Sequence, residues 1–122
     1  MAGRFRNRIA PFVGHELVQA RQARSEGESE REFAHLERAH VLGQASTYWH
    51  VRVHVLMLLW GLRQGNLREV VGQIVRTLGA ALGTAVGMVP EGNTGGSNVS
   101  PFRRMPIDPE LQGLIERART GS

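Results

Sequence analysis

The chain has 122 residues, 41% hydrophobic and 21% charged, the balance of a single globular unit and not of a disordered segment. It contains no cysteine, which excludes disulfides, thiolate catalysis and any zinc site built on sulfur. Its 15 basic against 11 acidic side chains give a net charge of +4; every basic residue is arginine, and only Arg4, Arg6 and Arg8 cluster, which argues against the basic stripe of a nucleic-acid binder.

In chain order, residues 1–10 read as a flexible basic N-terminus and residues 11–122 as a single all-α domain. No apolar h-region follows Met1–Arg8. The longest apolar runs, Val53–Leu62 and Leu78–Val89, are shorter than the roughly 20 residues that a spanning helix needs. The expectation is a soluble cytoplasmic protein without a membrane partner.

Pro11 suits the first turn of a helix that continues through Phe12, Leu17, Val18 and Ala20 to about Ser25. Ser29 with Glu32 has capping-box spacing and opens a second helix to about Gln44, with Phe33, Leu36, Ala39, Val41 and Leu42 apolar. Ser46 or Thr47 caps a third helix ending near Arg63. That helix is apolar nearly all round, which predicts burial. Asn66 with Glu69 starts a fourth, whose Leu67, Val70, Val71, Ile74, Val75 and Leu78 share one face. Gly79, Gly83 and Gly87, four apart, read as its tightly packed or fraying end.

Residues 89–107 form the one long non-helical stretch. Its glycines, asparagines and prolines predict turns, and Val99, Phe102, Met105 and Ile107 give it apolar anchors. No Gly-Lys-Ser/Thr closes it, so a phosphate loop is rejected. It reads as a segment folded back over the helices, with Asn93 and Asn98 bonding backbone. Asp108 caps a last helix over 108–119, with Pro109 in its first position and Leu111, Leu114 and Ile115 as its stripe. Short connections make sequential helices antiparallel. The fold class is therefore all-α: two antiparallel helix hairpins in a TPR-like (tetratricopeptide-like) bundle, a wrapping Gly/Asn/Pro-rich loop and a short C-terminal helix.

Four of the five histidines lie between residues 35 and 54. Residues three and four apart share a helix face, so Glu37, His40 and Gln44 form one stripe on the second helix, and His50, His54, Met57 and Gly61 one on the third. With the turn centred near Ser46, Glu37 and His54 both lie roughly 12 to 14 Å from it, and His40 falls near the level of His50. Glu37, His40, His50 and His54 are thus candidate ligands for a transition metal ion such as zinc, iron or copper, with Gln44, Glu69 and Gln73 as additional candidates. Glu-x-x-His is the recurring step of helix-bundle metal sites. Its second copy is missing, so a di-iron centre is not supported.

The same residues admit a metal-free reading, in which His40 bonds Glu37 or Gln44 and the cluster is a structural network within a TPR-like interaction or scaffold module. A third reading is an enzyme with His40 as a base oriented by Glu37. His15 and His35 read as surface residues. Composition identifies no protein partner or oligomeric state.

The segments HLERAHVLGQ (His35–Gln44), His50, His54, Met57, Leu58 and Gly61, REVVGQIVR (Arg68–Arg76), PEGNTGGSNVS (Pro90–Ser100) and FRRMPI (Phe102–Ile107) together resemble the small bacterial proteins grouped as domain of unknown function 3703. The similarity spans roughly residues 11 to 116. It implies a bacterial single-domain protein and transfers no catalytic residue.

Overall fold

The computed structural model describes residues 2–85, 93–97 and 104–121. They form five helices: α1 (Ala2–Ser25), α2 (Ser29–Gly43), α3 (Thr47–Gln64), α4 (Leu67–Ala85) and α5 (Pro109–Thr120), with no strand among them. The pairs α1–α2 and α3–α4 pack most extensively, α2 joins the two pairs through α3, and α5 closes across α1 and α2. None of these helices is long and apolar enough to cross a membrane.

Three predicted helix starts have their local cause in place. The Ser46 hydroxyl accepts from the Trp49 N–H, the Asn66 side chain from Glu69, and the Asp108 carboxylate from Glu110 with Pro109 behind it. Each satisfies an amide that the helix cannot. Between α3 and α4 the turn is made at Gly65, whose φ of 66° lies where only glycine rests without cost.

Two starts differ from expectation. Ser29 does not cap α2: the preceding residue is Glu28, no side chain caps the end, and Glu32 ion-pairs Arg63 of α3 instead. Helix α1 begins at Ala2, so residues 2–10 are helical, with Pro11 inside the helix. An interior proline removes one backbone hydrogen bond and costs ~3 kcal/mol. Tertiary contacts on the preceding turns offset this. Ile9 is fully buried, the Trp49 indole N–H donates to the Arg6 carbonyl at 3.0 Å, and the Arg6 guanidinium sits 3.8 Å above the Tyr48 ring.

The apolar core belongs to α1, α2, α3 and α5. Ile9, Val13, Leu36, Leu42, Val53, Met57 and Ile115 are among its members, and no described side chain of α4 joins it. Helix α4 is packed inside out. Its inward side is Glu69, Gln73 and Ala80, whereas Leu67, Val71, Ile74, Val75, Leu78 and Leu82 are all exposed. Val55, Leu59 and Leu62 of α3 are also exposed, so the burial predicted for that helix holds only on its inner side. The reason is polar: side chains projecting between α3 and α4 have hydrogen-bonding obligations that only the interior meets, and these set the rotation of α4.

Candidate metal centre

His40 ends the polar stripe of α2, and His50 and His54 begin that of α3. All three are buried, and their ligand-capable nitrogens lie within 4.8 Å of one another. Ring centroids are 4.9 Å apart for His40–His50, 4.7 Å for His40–His54 and 5.0 Å for His50–His54. The hairpin therefore brings His40 level with both α3 histidines.

Glu37, the fourth candidate, does not belong to this converging group. It is half-buried one turn earlier, where burial raises its carboxyl pKa, opposed by a hydrogen bond from Thr94. Glu69 and Gln73 lie beside the histidines rather than among them, and Gln44 is buried and hydrogen-bonded or otherwise engaged. The expected His40–Glu37 and His40–Gln44 contacts give way to others: His40 Nδ1 meets the Asn93 carbonyl at 2.6 Å and His40 Nε2 meets His54.

The partners decide which nitrogen of each ring carries a proton. A carbonyl oxygen can only accept, so His40 Nδ1 must donate to Asn93. The Gln73 amide is oriented by its NH2 group, which donates to the Glu69 carboxylate at 2.6 Å and to the Gly95 carbonyl at 2.8 Å. Its oxygen is therefore the atom facing His54 Nδ1, 2.6 Å away, and His54 Nδ1 must donate too. When both rings are neutral, both Nε2 atoms are bare lone pairs. They face one another at 3.1 Å.

Two lone pairs at that distance repel unless a cation lies between or beside them. A proton is one such cation, but burial disfavours the imidazolium. Burial, reinforced by His54 and His50, holds His40 well below the ordinary histidine value. Burial also pushes His50 down to about 3 and His54 to about 4. A metal ion is the other. Two imidazoles on one tetrahedral ion, each with a metal–nitrogen distance of 2.0 to 2.1 Å, have nitrogens about 3.3 Å apart. The observed spacing is close to that, and the Nδ1–H partners are of the kind that orient histidine ligands.

The second layer comes largely from residues 93–97, which expectation placed over the helices. The Asn93 side chain accepts from the Gly95 amide, as predicted for bonding to backbone, and Asn98, Val99 and Phe102 lie outside the described residues. Gly95 has a φ of 86°, and a Cβ there would stand 2.7 Å from His40 Cδ2. The backbone thus lies directly against the imidazole. The Ser97 amide and hydroxyl donate to Glu69, and the Arg76 guanidinium donates to the Gly95 and Gly96 carbonyls. Glu69 is consequently more than a capping acid. Asn93, Gly95, Ser97 and Arg76 were not singled out as site residues, because carbonyl acceptors and close backbone approaches leave no spacing signature.

His15 is exposed, as predicted. His35 is not a simple surface residue: its Nδ1 lies 2.8 Å from the buried Glu16 carboxylate, which also accepts from Arg38 at 3.0 Å. Arg38 reaches on to Glu110, tying α1, α2 and α5 together.

No curated protein and no solved structure shows significant similarity to this chain. A family model described as a protein of unknown function, DUF3703, matches residues 7–115, and the chain belongs to that family.

Proposed function

We propose that this protein binds one transition-metal ion through Nε2 of His40 and of His54, with a ring nitrogen of His50 as the third ligand. The observation that carries the reading is the 3.1 Å approach of two Nε2 atoms whose rings each donate from Nδ1 to a fixed acceptor. Three neutral imidazoles suit zinc, copper or iron. Glu37 stands outside the proposed ligand set.

Elemental analysis of protein purified without a nickel column tests it. Near one ion per chain is expected, reduced to background in His40→Ala and His54→Ala and retained in Glu37→Gln. A folded, metal-free protein that takes up neither zinc nor copper nor iron in titration ends the proposal. The competing reading, a TPR-like interaction module with a purely structural histidine network, draws support from the exposed apolar side chains of α3 and α4. It predicts that partner recovery is indifferent to the same alanine changes.

A further inference from the structure

The outer side of α4 is the largest feature that a metal centre leaves unexplained. A surface helix normally turns its apolar stripe to the core, and here the stripe faces out. Leu67, Val71, Ile74 and Leu78 are spaced four, three and four residues apart, with exposures of 74%, 56%, 49% and 68%. That alternation is the seam of two packed helices. Val75 and Leu82 flank it, at 64% and 74% exposure.

From their exposures the six α4 residues present roughly 700 Å², on the scale of the about 800 Å² that each partner contributes to a standard interface. Apolar patches on monomers seldom reach that size. The seam carries no charge. Arg68 lies beside it, and Glu69 and Arg76 turn to residues 95–97. An uncharged seam meets a copy of itself across a two-fold axis without like-charge repulsion. A lipid surface fits less well, because an interfacial helix backs its apolar face with a solvated basic one, whereas the back of α4 is a buried network around Glu69 and Gln73.

We infer that the protein is a homodimer in which the α4 seam packs against its two-fold copy. Sedimentation velocity of the full chain tests this from about 1 to about 200 µM, the range over which a micromolar interface declares itself. The expected species has twice the 13.5 kDa chain mass. Val71→Glu and Leu78→Glu alter solvent-facing positions, so each is expected to keep its helical circular dichroism. Each should weaken association by about a hundredfold or more, since two unpaired carboxylates are buried per dimer. Leu78→Met should remain dimeric. A wild type that stays monomeric throughout, including one that binds anionic vesicles as a monomer, overturns the inference. So does a dimer that survives both glutamate variants.

Discussion

Acidifying the metal-free protein perturbs the three histidines together. In the unfolded chain each titrates near pH 6.5. In the native state burial holds His50 near 3, His54 near 4 and His40 well below its ordinary value. The folded pKa values are depressed, so as pH falls below about 6.5 the unfolded state binds protons that the native state refuses. The stabilising contribution is thus complete above pH 6.5 and is lost as pH falls toward 4. His50 and His54 each forfeit about 2 kcal/mol by pH 5, together about 4 kcal/mol at a limiting slope of about 3 kcal/mol per pH unit, and His40 adds to the loss in the same direction. Domains of this kind have only about 5 to 15 kcal/mol in total, so the metal-free protein should approach unfolding near pH 5. Urea titrations followed by circular dichroism at pH 8, 7, 6 and 5, with chelator present, measure this directly. A stability that changes by less than about 1 kcal/mol over that range would refute the buried neutral rings. A stability that rises on acidification through pH 6 would mean that a proton is shared between the two Nε2 atoms.

Gln73→Leu should cost about 2 to 4 kcal/mol in thermal or urea unfolding, because it strands the His54 N–H in the interior and removes the amide's own bonds to Glu69 and Gly95. It should also weaken metal binding 10- to 100-fold in competition titrations, the usual effect of losing a ligand's orienting partner. Gly95→Ala places a methyl group against the His40 ring at a positive φ; a loss of about 2 to 3 kcal/mol is expected from the backbone cost plus the displaced ring. Trp49→Phe removes the bond to the Arg6 carbonyl while keeping an aromatic ring, and should cost about 1 kcal/mol. Its signature is faster amide exchange in residues 2–10 with α2 and α3 unchanged.

The helices were legible because their determinants are local. Ser46, Asn66 and Asp108 cap amides three or fewer residues away, and Gly65 sits where the chain must adopt a left-handed turn. The three histidines were legible because helical periodicity places each on an inner stripe. The rotation of α4 was not. Its pattern states that one face is apolar, but a stripe that packs against a core and one that packs against another chain are spelled alike. What turned the helix was Gln73 and Glu69 bonding His54 and Ser97, partners 19 and 28 residues away. The early start of α1 was hidden for a similar reason. Pro11 is a sound helix-start signal, and it yields here to contacts that Arg6 and Ile9 make with distant residues. Ser29 failed as a cap because it already lies inside the helix: the Glu28 carbonyl takes the Glu32 amide, and the Glu32 side chain is drawn to Arg63 of α3.

The manner in which α4 is held bears on how the molecule comes apart. Apolar surfaces tolerate small slips, because one methyl group replaces another at little cost. The contacts of α4 are directional: an amide between two acceptors and an imidazole, a carboxylate receiving a serine, a guanidinium on two carbonyls. Sliding α4 by one residue past α3 and residues 93–97 breaks at once every one of these that leaves the helix. The helix therefore has one register or none, and its release is a discrete event separable from melting of the main apolar cluster, to which no described side chain of α4 contributes. Hydrogen exchange should resolve α4 and residues 93–97 as one opening unit, with α1, α2 and α5 persisting as another. Whatever occupies the space among the three histidines sets the free energy between those two states.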